Sequence, residues 1–279
     1  MYEPNRVISI QSQVVYGHVG NSAAVFPMQA AGIEVIAVPT VILSNTPRYP
    51  TLRGKSLPPA LLTDLLLGVK ERGLVESADM IVTGYLGSPE NAAIVADFVT
   101  EALDANPRLG YLCDPVMGDA GPGIYVPKEV TTLMRQQLLH RADILTPNQF
   151  ELEFLTGTCL ERADDMARAA ADLPLRKDAR IIATGCSFAD TPAGQIETVI
   201  LHDGQAERHA ATMLDGTLSG TGDLFAGLLV ASLGRGHKLS DAVIRAQELT
   251  GIAMRDAIHA NRMEVTLSGE DFRRGLLTL

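Results

Sequence analysis

Short apolar runs rich in β-branched residues alternate with longer helical patterns through the first two thirds of the chain, which leaves few folds open. Residues 6–10, 33–38, 79–83, 109–113, 143–146 and 180–184 are nearly continuous apolar runs, the pattern of strands covered on both faces. Between them, 21–31, 58–72, 88–105, 127–141 and 161–173 read as helices. The third opens with Ser88-Pro89-Glu90, an N-cap, a proline at N1 and an early acid. Strand and helix in alternation predict a mostly parallel sheet with helices on both faces, a three-layer α/β/α fold. The pattern then changes: 196–201 and 205–213 flank Asp203-Gly204, a hairpin signal, and helices over 220–234 and 240–258 follow. No linker, repeat or low-complexity stretch interrupts this order. Residues 1–279 therefore read as one α/β domain with a late antiparallel appendage.

Charge and cysteine content narrow the function. With 23 Lys+Arg against 33 Asp+Glu the formal charge is −10, which disfavours nucleic acid gripped by a basic stripe and an anionic membrane surface. Cys113, Cys159 and Cys186 form no CxxC pair, so neither a disulfide framework nor a zinc site is expected. The opening MYEPNRVISI lacks the basic and apolar regions of a signal peptide, and the apolar stretch 224–234 is too short to span a bilayer. A reduced, cytoplasmic setting is the expectation.

The most informative segment is Ser219-Gly220-Thr221-Gly222-Asp223-Leu224-Phe225-Ala226-Gly227. Two glycines frame a threonine, an acid follows, and an apolar helix starts at once. Such a turn lets backbone approach a ligand, and the free amides at a helix start form an anion site. An aspartate there could equally be a helix cap. The segment is neither a Walker A loop nor a GxGxxG after a first strand. Elsewhere, Asp114 ends a strand and Asn148 and Glu151 follow another, so their oxygens should converge beyond the carboxyl edge of the sheet. Taken alone, Asn148-x-x-Glu151 reads as a helix cap with an acid in the first turn. The six histidines are scattered, with no zinc spacing and no G-x-S-x-G elbow. Cys113 reads as a small buried hydrophobe.

GTGD before an apolar helix resembles the anion-hole motif of the ribokinase superfamily, whose aspartate is the catalytic base. Further segments are similar to those of pyridoxal kinases, in the family's order from near residue 6 to about 235. They are Ile10-Gln11-Ser12-Gln13-Val14-Val15-Tyr16-Gly17-His18-Val19-Gly20-Asn21, Thr83-Gly84-Tyr85, Cys113-Asp114-Pro115-Val116-Met117-Gly118-Asp119, Tyr125-Val126-Pro127 and Thr146-Pro147-Asn148-Gln149-Phe150-Glu151. The resemblance implies a ribokinase-like fold and ATP-dependent phosphorylation of the 5′-hydroxymethyl group of pyridoxal. It implies Asp223 as base and the Gly220, Thr221 and Gly222 amides as anion hole. Ser12, Val19, Val41, Pro47, Tyr85, Tyr125 and Asp223 would border the substrate; Asp114, Thr146, Asn148, Glu151, Thr184 and Thr221 would border the nucleotide. Asp114 and Glu151 would serve Mg²⁺, directly or through water. A homodimer is implied as well, and a requirement for a monovalent cation such as K⁺ stays open.

One loop departs from the family. Pyridoxal kinases commonly read SNHTxY where this chain has Ser44-Asn45-Thr46-Pro47-Arg48-Tyr49, so Pro47 holds the position of a substrate-facing threonine and Thr46 sits one earlier. Proline brings neither N–H nor hydroxyl. A hydroxymethylpyrimidine-type kinase and a weakly catalytic pyridoxal carrier are the competing readings. Many of the pyrimidine kinases resemble GTGC, against GTGD here.

Overall fold

The computed structural model describes residues 3–279. Its elements are β1 (Arg6–Val14), α1 (Asn21–Ala30), β2 (Glu34–Leu43), β3 (Gly54–Ser56), α2 (Pro59–Glu71), α3 (Leu74–Ser77), β4 (Met80–Thr83), α4 (Pro89–Ala105), β5 (Gly110–Cys113), β6 (Gly118–Asp119), β7 (Gly123–Ile124) and α5 (Lys128–Leu133). These are followed by β8 (Ile144–Leu145), α6 (Gln149–Thr156), α7 (Ala163–Ala170), β9 (Arg180–Cys186), β10 (Gln195–His202), β11 (Gln205–Thr212), α8 (Thr221–Gly234), α9 (Leu239–His259) and α10 (Glu270–Leu276). Nine strands form one sheet in the order β11-β10-β9-β8-β5-β4-β1-β2-β3. The run from β9 to β2 is parallel throughout, and the antiparallel pairs lie at the two edges.

Strand alternation sorts side chains between two cores. Val7, Met80, Val82, Leu112, Ile144 and Ile182 pack beneath α1, α8, α9 and α10. Ile8, Ile10, Ile81, Tyr111, Leu145 and Ile181 face α2 through α7. Helix α8 buries every residue from Leu224 to Leu233, as a helix apolar on all sides must, with each Leu or Phe contributing about 1.5–3 kcal/mol. That burial anchors the turn at its amino end. Cys113 is fully buried, and desolvation pushes its thiol up to about 12, the behaviour of an inert core residue.

Three expectations are corrected. The late hairpin is no appendage: β10 pairs antiparallel with β9 and extends the main sheet. Its Asp203-Gly204 loop takes left-handed backbone at both residues (φ 50° and 73°), the two-residue turn that matches strand twist. The helix expected over 127–141 is broken, α-helical only to Leu133, then a π-turn over Met134–Leu138 and a 3₁₀ turn over Leu139–Arg141. Strand β1 runs on to Val14, with its register against β2 shifting between Gln11 and Gln13, so Ser12 lies inside the strand at an irregularity. Such bulges re-aim a side chain beside a site.

Candidate active site

Helix α8 begins with an N-terminus that no side chain caps. Its first amides, from Gly220 to Asp223, therefore have no acceptor within the helix, and the helix dipole adds to their pull on an anion. Gly222 is exposed, so these amides are within reach of a ligand. Gly220 has φ +83°, and an added Cβ would lie 2.0 Å from the carbonyl oxygen of His18. Both the left-handed backbone and the contact demand glycine. The turn is thereby locked against the first loop, where the His18 ring bonds the Val265 carbonyl oxygen through Nδ1 at 3.0 Å.

Asp223 does not cap α8. Desolvation pushes its pKa upward, and the backbone amide of Gly20 acts in the opposite direction. Gly20 is itself pressed on Ser12, and an added Cβ would meet Ser12 Oγ at 2.4 Å. Ser12 and Gly20 are thus in direct contact, with Val19 half-buried beside them. Beneath them runs a buried polar network that the sequence did not single out. Gln11 Nε2 donates to Ser9 Oγ at 2.9 Å, Ser9 Oγ to Asn21 Oδ1 at 2.8 Å, and Asn21 Nδ2 to the carbonyl oxygens of Gln11 and Val38 at 3.3 Å.

Asp114 closes the other side. It leaves the end of β5, is 4% exposed, and its Oδ2 lies 3.8 Å from where a Cβ on Gly222 would stand. Burial, then the charges of Glu151 and Asp223, push its carboxyl well above the usual range, with the Thr146 hydroxyl acting in the opposite direction. Burial foremost also raises Glu151, against three backbone amides that lower it. Among the described residues, none of these three carboxylates forms an ion pair. Three carboxyl groups thus share a largely buried place with no cationic partner, an environment that suits a hard divalent cation. No group of three or more His, Cys, Asp or Glu stands close enough to hold a metal unaided, again among the described residues. A cation here would take most of its shell from water and phosphate, as Mg²⁺ does.

Asn148 and Glu151 form a complete capping box on α6: Glu151 N donates to Asn148 Oδ1 at 2.8 Å and Asn148 N to Glu151 Oε2 at 2.9 Å. Asn148 Nδ2 also donates to the Gly118 carbonyl at 2.9 Å, and Glu151 Oε1 accepts from Met117 N at 2.9 Å and Gly118 N at 3.4 Å. The pair therefore ties α6 to the small β6–β7 hairpin that leads to Tyr125. Tyr125 is half exposed; desolvation first, then the charges of Glu151, Asp223 and Asp114, raise its hydroxyl. Thr184 is bridged to Asn148 at the end of β9.

The remaining expected residues are Val41, Tyr85 and Pro47. Val41 is buried in β2, Tyr85 is half-buried with its carbonyl held by the Thr40 hydroxyl at 2.6 Å, and Pro47 is exposed on its loop. None of the three hydrogen-bonds to the Asp114–Asp223 cluster among the described residues. Thr46 is 1% exposed and donates to Ser219 Oγ at 2.8 Å. Neither Ser219 nor the segment around Glu264 that supports it was singled out for a role from sequence, because nothing local marks them.

Comparison with known proteins agrees with this geometry. A family model described as phosphomethylpyrimidine kinase matches residues 55–268. Full-length relatives are more specific. The chain is 38% identical over 266 residues to pyridoxal kinase PdxY of Granulibacter bethesdensis, covering 93% of this chain and 92% of that protein. It is 40% identical over 232 residues to pyridoxal kinase PdxY of Deinococcus radiodurans, covering 81% and 78%. The chain belongs to the pyridoxal kinase family. Its ribokinase-like architecture is shared with the pyridoxal kinase of Leishmania donovani solved with ADP and ginkgotoxin, at TM-score 0.86 and 28% identity over 98% of this chain and 95% of that one. The same Leishmania kinase, solved with ADP and pyridoxine, superposes with TM-score 0.85 over the same shares at 28% identity. No helix among the described residues is long and apolar enough to cross a membrane.

Proposed function

We propose that the chain phosphorylates the 5′-hydroxymethyl group of pyridoxal from ATP, a step of vitamin B6 salvage, with Asp223 as the general base. The observation that carries this reading is the uncapped amino end of α8, with Asp223 in its first turn and the Asp114 carboxylate beside Gly222. Asp223 would take the hydroxyl proton as the 5′ oxygen bonds to the γ-phosphorus and the bond to the β–γ bridging oxygen breaks, releasing ADP. The amides of Gly220, Thr221 and Gly222 would hold the equatorial oxygens as charge builds there. Asp114 would hold Mg²⁺ directly or through water, with Thr146 beside it. Glu151, its oxygens already bonded to three amides, would act on the same ion through water while fixing the β6–β7 hairpin. When bound, Mg²⁺ neutralises charge on the transferring phosphates. Ser12 would bond the pyridine nitrogen, and Tyr125 would close over the substrate to exclude water.

The test is ADP release by the purified chain with pyridoxal, pyridoxine, pyridoxamine and hydroxymethylpyrimidine, each with and without Mg²⁺. Turnover of pyridoxal that depends on Mg²⁺ is expected. Turnover of hydroxymethylpyrimidine alone would make the chain a pyrimidine kinase, and tight pyridoxal binding without ADP would make it a carrier.

We also propose that residues 1–279 act as one ribokinase-like kinase domain, because nine strands drawn from both ends of the chain, β1 to β11, share one sheet, and that two copies pair in solution. Leu61 and Leu65, one turn apart on α2, are 47% and 39% exposed, an apolar face that a second copy would cover. Sedimentation equilibrium should give twice the chain mass, and Leu61→Lys with Leu65→Lys should return it to the monomer. A monomeric parent protein would remove this reading.

A further inference from the structure

The loop that departs from the family pattern makes most of its bonds to itself. Asn45 Nδ2 donates to the carbonyls of Thr46 at 2.9 Å and Thr51 at 2.8 Å, Ser44 Oγ donates to Asn45 Oδ1 at 2.5 Å, and Arg53 N donates to Ser44 Oγ at 2.9 Å. Two side chains instead reach outward. The Thr46 hydroxyl donates to Ser219 Oγ at 2.8 Å, and the Tyr49 hydroxyl donates to Glu264 Oε1 at 3.2 Å.

Both tethers end on one structure. Ser219 is bridged to Glu264: Ser219 N donates to the Met263 carbonyl at 3.0 Å and Val265 N to the Ser219 carbonyl at 3.1 Å. With its backbone bonded on both sides and its hydroxyl bonded to Thr46, Ser219 has little freedom left. Its next neighbour is Gly220, whose own backbone is pinned against His18. A shift of Ser219 therefore turns the first amides of α8, the groups assigned to the transferring phosphoryl.

We infer that Thr46 and Ser219 are a positioning pair for phosphoryl transfer, coupling the substrate-covering loop to the anion hole through one part-buried hydroxyl–hydroxyl bond. The inference rests on the kinase reading above. Displacement of the family's threonine by Pro47 then has a structural counterpart: the adjacent Thr46 is turned inward to brace the site rather than outward to the ring. Thr46 acts through Ser219 and is not itself a catalytic residue.

The test compares Thr46→Val, Ser219→Ala, the double variant and Thr46→Ser with the parent. Each is followed by steady-state ADP release with pyridoxal and ATP varied separately, and by hydrogen–deuterium exchange. Loss of one neutral hydrogen bond in a positioned site predicts that Thr46→Val and Ser219→Ala each lower kcat/KM for pyridoxal about three- to tenfold, with KM for ATP unchanged. The double variant should be no worse than either single one, since both remove the same bond. Thr46→Ser, which keeps the hydroxyl, should restore activity. Amide exchange over 44–49 and 219–223 should rise in Thr46→Val and not in Thr46→Ser. Parent-like kinetics in Thr46→Val, multiplicative losses in the double variant, or unchanged exchange would overturn the pairing. If the parent chain itself releases no ADP with pyridoxal, the kinase reading fails, and the exchange measurement alone decides whether Thr46 braces the turn.

Discussion

Asp223→Asn is expected to keep the fold and nucleotide binding while lowering kcat by about 10²–10⁴, the span that a positioned general base supplies. The exchange is nearly isosteric, and an amide oxygen keeps the ability to accept from a backbone N–H, so the local geometry has no reason to change. What disappears is the carboxylate in the first turn of α8, the proton acceptor that the helix itself carries to the site. Its raised pKa, caused by desolvation, makes the native carboxylate a stronger proton acceptor than an exposed one. Coupled ADP release with pyridoxal checks the rate, and ATP-induced thermal stabilisation checks the nucleotide site. A variant turning over at near the parental rate would show that the proton leaves by another route.

Gly220 carries the second large effect. Gly220→Ala should lower the melting temperature and abolish most turnover, because two costs add at one position. A left-handed backbone costs an L residue about 1–2 kcal/mol, and overpacking costs about 1–3 kcal/mol. Here the obstacle is the His18 carbonyl, 2.0 Å from the added carbon, and backbone yields less readily than a side-chain tip. Gly222→Ala is the control. Its added Cβ would stand 3.8 Å from Asp114 Oδ2, an ordinary contact, so its melting temperature should stay near the parent's. Equal destabilisation of the two variants would contradict the close packing at Gly220.

Much of this fold was legible because strands and helices declare themselves over short distances. The six central strands and the helices α1, α2 and α4 appear within a few residues of the positions their apolar spacing predicts. The helix over 127–141 was misread because apolar spacing does not register a change from α to π and 3₁₀ winding. The late hairpin was recognised from Asp203-Gly204, yet no local signal could say that it would continue the main sheet beside β9. At the site, GTGD and the carboxylates were visible as motifs. Asn148 and Glu151 show why motif and structure must be read together, since the capping box and the tether to the β6–β7 hairpin use the same atoms.

The sequence by itself determined the parts whose physics is local. The run of apolar residues after Asp223 makes a buried helix, the glycines before it make a turn with free amides, and the order of strands and helices makes a parallel sheet whose carboxyl edge gathers them. The tertiary structure alone decided which partners those parts meet. Thr46 bonds a serine 173 positions away, and Tyr49 a glutamate 215 positions away. A hydroxyl can satisfy itself with any acceptor or with water, so nothing in its neighbours along the chain names its partner. Only the packing of α8 against the sheet, which brings Ser219 and Glu264 to the 44–49 loop, makes that one bond available.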